Sequence, residues 1–268
     1  MNKNILTLAL LGSILLLSCK DEKASDPVTP NPIIPSDTVC SISKWSHGYN
    51  WYTHVYDENN RLIQYNDDEF NWTRFIQYDN QNRVSDIEFK LNGNLESKSV
   101  WSYNPDDSLG GDSLPYEILQ LSKSGDVVAK RSYKYADGRV ISNGWFSYQD
   151  TSYTPESFET YEYKGEKISK VITYSRYLKS FGKFISQSDF VNFTYDDKTN
   201  VFQSMFWYFY YNDFNRLPLG NNILRYEEGD NNYTFSYTYN VDELPKDFVS
   251  MNNGVEYTDT TRYLYECK

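Results

Sequence analysis

His54-Val-Tyr56-Asp57-Glu-Asn-Asn60-Arg61-Leu-Ile63 and Ile76-Gln-Tyr78-Asp79-Asn-Gln-Asn82-Arg83-Val84 are two copies of one pattern. A strand of alternating character ends in Tyr, a short Asp/Asn turn follows, and a basic residue opens a second alternating strand. Tyr133-Lys-Tyr135-Ala-Asp-Gly138-Arg139-Val140 and Tyr161-Glu-Tyr163-Lys-Gly165-Glu-Lys167-Ile168 repeat it with a turn one residue shorter. Looser copies stand at Phe193-Thr-Tyr195-Asp196-Asp-Lys198 and Tyr237-Thr-Tyr239-Asn240-Val-Asp-Glu-Leu244-Pro245, and a degraded one at Trp101-Ser-Tyr103-Asn104. Repetition of a unit this short is the signature of a repeat architecture, so it governs every later inference about the fold.

Asn60, Asn82, Gly138 and Gly165 occupy the place where a type I turn passes into a left-handed residue, a conformation that suits Asn and Gly. Each unit therefore reads as a β-hairpin. In Tyr161-Glu-Tyr163 and Tyr237-Thr-Tyr239 the rings share one face and the polar residues the other. A lone hairpin is marginal in water, so neighbours must add strands until a face is buried. The bias to 26 Tyr, 15 Phe and 6 Trp favours a pleated, half-buried surface. Tyr116 to Ser122 is the one helix-like stripe, and Gly125 soon ends it. The expectation is one all-β domain over residues 39–268, a single curved antiparallel sheet of tandem hairpins.

Ahead of that domain, Met1 to Lys3 is a basic start and Ile5 to Leu17 an apolar run too short to span a bilayer. Leu16-Leu17-Ser18-Cys19 resembles a lipobox, which implies a signal peptide over 1–18 and acylation of Cys19. Lys20-Asp21-Glu22-Lys23 resembles the export tag of Bacteroidetes surface lipoproteins, and the alternative is simply a solvated start to the tether. Residues 19–38 have the Pro-rich, polar composition of a linker. These features imply an outer-membrane protein, anchored by its lipid and facing the cell exterior.

The hairpin unit resembles the YD repeat of Rhs and teneurin proteins, whose copies build a continuous spiralling antiparallel sheet. Tyr56-Asp57 with Arg61 and Tyr78-Asp79 with Arg83 match best, although Asn60 and Asn82 stand where Gly is usual. A fuller likeness is to Bacteroidetes lipoproteins that join a lipobox, a Pro-rich tether and degenerate YD-like hairpins. It covers about Trp45 to Lys268 and brings no known activity with it.

The net charge of −11 becomes −12 once a signal whose only charge is Lys3 is removed, leaving 25 basic and 37 acidic side chains. Such a chain repels phosphate backbones, so no nucleic-acid partner is expected. His47 and His54 are too few for a zinc site and are expected at the surface. No cofactor or metal site is read. The acidic groups Asp67-Asp68-Glu69, Asp106-Asp107 with Asp112, Asp196-Asp197 and Glu227-Glu228 with Asp230 fall in expected turns, where solvated charge is the ordinary reading. With Cys19 acylated, Cys40 and Cys267 are the remaining thiols in an oxidising compartment, and a disulfide between them would join first strand to last. Two separately buried thiols are the alternative. The densest aromatic block, Val201 to Tyr211, is a core strand or, with one face open, a binding surface at Trp207, Phe209 and Tyr211.

These readings point to a non-catalytic surface binding module for a glycan or a protein. A structural or accessory subunit of an outer-membrane complex is the first alternative and predicts an apolar patch without a cleft. A glycoside hydrolase with carboxylates from distant strands is the second, and it predicts a concave site with two facing acids. An immunity-type lipoprotein would also fit the acidic charge.

Overall fold

The computed structural model describes residues 40–47, 50–67, 69–103, 114–149, 151–200, 220–256 and 260–267. Seventeen strands and no helix occur among them: β1 (Cys40–His47), β2 (Asn50–Tyr56), β3 (Leu62–Asp67), β4 (Trp72–Tyr78), β5 (Val84–Leu91), β6 (Asn94–Tyr103), β7 (Pro115–Ser122), β8 (Val127–Ala136), β9 (Arg139–Gln149), β10 (Ser152–Lys164), β11 (Lys167–Leu178), β12 (Lys183–Thr199), β13 (Asn221–Glu228), β14 (Asn231–Tyr239), β15 (Pro245–Asn252), β16 (Val255–Glu256) and β17 (Thr261–Cys267). The helix-like stripe at Tyr116 to Ser122 is part of β7.

From β1 to β15 each strand pairs antiparallel with the next, and β17 pairs with both β15 and β1. The two-residue β16 lies on the end of β15. The sheet thus closes into an up-and-down barrel of sixteen antiparallel strands, not the single open curved sheet the repeats suggested. The physical reason is at the ends: an open sheet would leave the ladders of β1 and β17 unpaired, and closure satisfies both. Cys40 sits directly opposite Cys267 across this seam.

The turns behave as their residues dictate. Asp57 Oδ1 accepts the backbone N–H groups of Asn59 and Arg61, while Arg61 returns its guanidinium to Asp57 Oδ2 at 2.6 Å. Asp79, Gln81 and Arg83 repeat that fork, and Asn240 repeats its backbone half toward Asp242 and Leu244. Asn60, Asn82 and Glu243 take the left-handed conformation in these turns. The shorter turns are built differently from expectation. Asp137 and Gly138 are both left-handed, and Gly165 stands first in its pair, because a two-residue loop leaves no room for a type I turn ahead of the left-handed residue.

Each hairpin is clasped to the one before it. Tyr56 donates its hydroxyl to the carbonyl of Ile42 at 3.0 Å, Tyr78 to Leu62 at 2.9 Å, Tyr103 to Val84 at 2.8 Å and Tyr135 to Pro115 at 2.6 Å. Tyr163 reaches Val140 at 2.9 Å, Tyr195 reaches Ile168 at 2.8 Å and Tyr265 reaches Pro245 at 2.7 Å. Tyr239 completes the circuit by donating to the carboxylate of Asp196, which also accepts from Asn222 at the start of β13. The motif cations lie over the next tyrosine ring: Arg61 over Tyr78 at 4.6 Å, Arg83 over Tyr103 at 4.3 Å, Arg139 over Tyr163 at 5.5 Å and Lys167 over Tyr195 at 5.0 Å. Asp, Arg and Tyr of the repeat are thus one interlocking device around the rim of the barrel.

Candidate binding site

Register separates the two faces of the wall. Ile76 opposes Ile87, Arg74 opposes Phe89, Trp101 opposes Ile118, and Tyr161 opposes Val171 on the face that carries the buried core, which in a closed sheet is the lumen. The residues between them point outward and mix charge with rings: Phe146, Tyr153, Phe158 and Tyr174 share this face with Lys130. The ion pairs Glu88–Lys90, Asp86–Lys98, Glu117–Lys130, Lys170–Asp189, Arg225–Glu227 and Asp247–Arg262 all lie on this outer face and recur around the circumference. A lipid-facing wall has the opposite arrangement, apolar outside and polar within, and a charge at its midplane costs roughly 2–4 kcal/mol.

Stacked rings fill much of the lumen. Trp45 packs on Tyr52 at 4.7 Å, Tyr52 on Tyr65 at 5.5 Å, Tyr65 near Trp72 at 5.3 Å and Trp72 near Phe89 at 5.8 Å. On β13 and β14 Tyr226 meets Tyr233 at 4.8 Å and Phe235 at 5.7 Å. Where small and polar residues replace rings, the packing opens into a cavity of about 350 Å³ against β4 to β9. Its wall is three neighbouring rows. One holds Trp101, Ile118, Arg131 and Trp145; the next Ile87, Ser99 and Gln120; the third Arg74, Phe89 and Ser97.

Among the described residues the cavity wall carries two guanidiniums and no carboxylate. Arg74 lies over Trp72 at 4.9 Å and over Phe89 at 5.6 Å, and Arg131 over Trp145 at 4.9 Å. Arg131 Nη1 is buried and has no hydrogen-bond partner among the described residues. Glu159 also faces the lumen, but its carboxylate accepts from Asn143 at 2.9 Å and from the Tyr161 hydroxyl.

The residues singled out in the sequence fall elsewhere. Cys19 and the aromatic trio Trp207, Phe209 and Tyr211 lie outside the described residues, as do Asp106, Asp107 and Asp112. Cys40 is disulfide-bonded. His54 is not at the surface: it is 5% exposed, packs on Tyr65 and donates from Nδ1 to the Ile42 carbonyl at 2.9 Å. Its desolvation outweighs that bond and lowers its pKa to about 4. Asp67 is also buried, accepting the N–H groups of Glu69 and Phe70, and Asp196 serves the tyrosine circuit, so neither is a solvated turn charge. Among the described residues no cluster of His, Cys, Asp and Glu could hold a metal ion. Arg74 and Arg131 went unread, yet each stands four residues before an anchor tyrosine, Tyr78 and Tyr135. On a strand of period two that spacing puts them on the tyrosine's face.

No protein-family model and no curated protein matches the chain. Solved structures do. A porin-like protein from Bacteroides uniformis ATCC 8492 is 13% identical with a TM-score of 0.56, over 84% of this chain and 98% of that one. A porin-like protein from Bacteroides vulgatus ATCC 8482 is 11% identical with a TM-score of 0.52, over 85% of this chain and 99% of that one. At these identities the likeness is one of architecture, and the closed antiparallel barrel is what this chain shares with them.

Proposed function

We propose that the protein is a lipid-tethered, water-facing barrel at the outer membrane that binds a small ligand in its lumen without transforming it. The observation that carries this reading is the pairing of an ion-paired outer wall with a lumen cavity of about 350 Å³ lined by rings, hydroxyls and two guanidiniums. Ligand pockets have roughly this character, mostly apolar with a few converging polar groups. A purely structural subunit would have no such cavity within. A glycoside hydrolase would have two acids at the cavity wall, where this chain has Arg74 and Arg131.

The address rests on the sequence, with a signal over 1–18, an acylated Cys19 and a tether to residue 38. The Asp–Arg forks and the tyrosine circuit support kinship with YD-like Bacteroidetes lipoproteins. The register of β1 and β17 supports Cys267 as the disulfide partner of Cys40. Because the outer wall is charged, the barrel itself should stay in water once the lipid is gone.

Phase separation in a nonionic detergent tests the address. The chain labelled with fatty acid should enter the detergent phase, and a variant that begins at Lys20, without signal and lipid, should move to the aqueous phase. Retention of the variant in detergent would show a lipid-facing wall and sink the proposal. For the lumen site, the full chain titrated with a panel of small saccharides should show saturable change in tryptophan fluorescence, since Trp101 and Trp145 line the cavity. A flat response to every member would remove the cavity as a saccharide site.

A further inference from the structure

We propose that the lumen cavity selects a sugar acid, a saccharide of one or two rings gripped through its carboxylate by Arg131 and Arg74. This rests on the reading of the cavity as the binding site. Charge gives the first argument. Among the described residues the wall holds two guanidiniums and no acid, and Arg131 has a buried Nη1 without a hydrogen-bond partner. Its contact with the Trp145 ring stabilises the cation only in part. A half-buried cation with one buried, unpartnered nitrogen gains from a counter-charge that reaches it, and the planar guanidinium fork matches a carboxylate in geometry as well as sign.

The second argument is what surrounds the arginines. Trp101, Trp145 and Phe89 offer flat apolar faces suited to the C–H face of a sugar ring, while Ser97, Ser99 and Gln120 can serve its hydroxyls. A fatty acid or a simple aromatic acid would satisfy Arg131 and leave these three polar side chains without ligand partners. The volume sits at the small end of ordinary ligand pockets, roughly 300–1,000 Å³, which fits one or two rings rather than a polymer segment. The acidic chain as a whole repels anions at a distance. Selection must therefore come from short contacts inside the lumen and not from steering.

Calorimetric titration of the full chain in detergent with digalacturonate, neutral digalactose and benzoate tests the proposal. Digalacturonate should bind at least about tenfold more tightly than digalactose, the equivalent of one good charge-assisted contact. Arg131→Gln should bring the acid down to the level of the neutral sugar, while Arg131→Lys should keep part of the preference. If Arg131→Gln does not fold, Arg74→Gln carries the same comparison, with circular dichroism as the check on folding. Equal saturable binding of the acidic and neutral sugars overturns the charge argument and leaves the lumen site standing. Benzoate binding as tightly as digalacturonate overturns the saccharide argument. No saturable binding of any of the three overturns both this proposal and the site on which it rests.

Discussion

A single phenol holds each hairpin to its predecessor, and its contribution can be measured one at a time. Tyr135→Phe deletes the hydrogen bond to the carbonyl of the buried Pro115. A loss of about 1–2 kcal/mol in urea denaturation is expected, and an unmoved midpoint would reduce the clasp to packing alone. His54 gives a second measurement, this time in pH. The folded barrel holds the imidazole neutral down to about 4, whereas the unfolded chain protonates near 6.5. Stability is therefore full above that upper value and drains as pH falls through the window, by roughly 3 kcal/mol at most. His54→Gln should flatten this acid limb when midpoints are compared above and below the window, and an unchanged limb would assign acid sensitivity to the carboxylates.

At the scale of the hairpin, the turns were the most legible part of the chain, because their chemistry is local. Asn60 in a left-handed turn can be tested against its own backbone requirement. Asn60→Gly and Asn60→Ala both lose the hydrogen bond from Ser41, so the difference between them reports the backbone. Alanine should be the less stable by about 1–2 kcal/mol, and equal stabilities would mean the turn relaxes to another type. What a hairpin does to its neighbour was harder to read. Arg61 looked like the first residue of a return strand, and nothing in its own copy of the motif shows that it lies over Tyr78 of the next. The cavity arginines were hidden for a related reason. Trp72-Thr-Arg74-Phe-Ile76 alternates correctly only if a cation is allowed on the apolar face, and hydropathy alone argues against that.

For the whole molecule, closure is the property that strand residues do not encode one by one. An edge strand and an inner strand read alike, and only Cys40 and Cys267 hinted that the first and last strands meet. Tyr265 was missed as the eighth anchor because no turn follows it to complete the motif, although it clasps Pro245 as its counterparts clasp theirs. The circuit gives a prediction for the barrel as a unit. Burial raises all eight of these phenols from 10.0, Tyr78 and Tyr163 to about 12 and the others further. The unfolded chain ionises first, so stability is full below pH 10 and falls as pH rises beyond it. Tyrosinate absorbance should show these phenols ionising in one cooperative step that coincides with loss of the β signal in circular dichroism. Gradual, independent titration without unfolding would contradict a shared circuit. A necklace of like beads has no obligatory length: excising Trp72 to Leu91, which removes β4 and β5, would still let β3 meet β6 antiparallel. Bore would shrink with strand number, so this architecture can change what fits inside it by gaining or losing beads, with no new side chain invented.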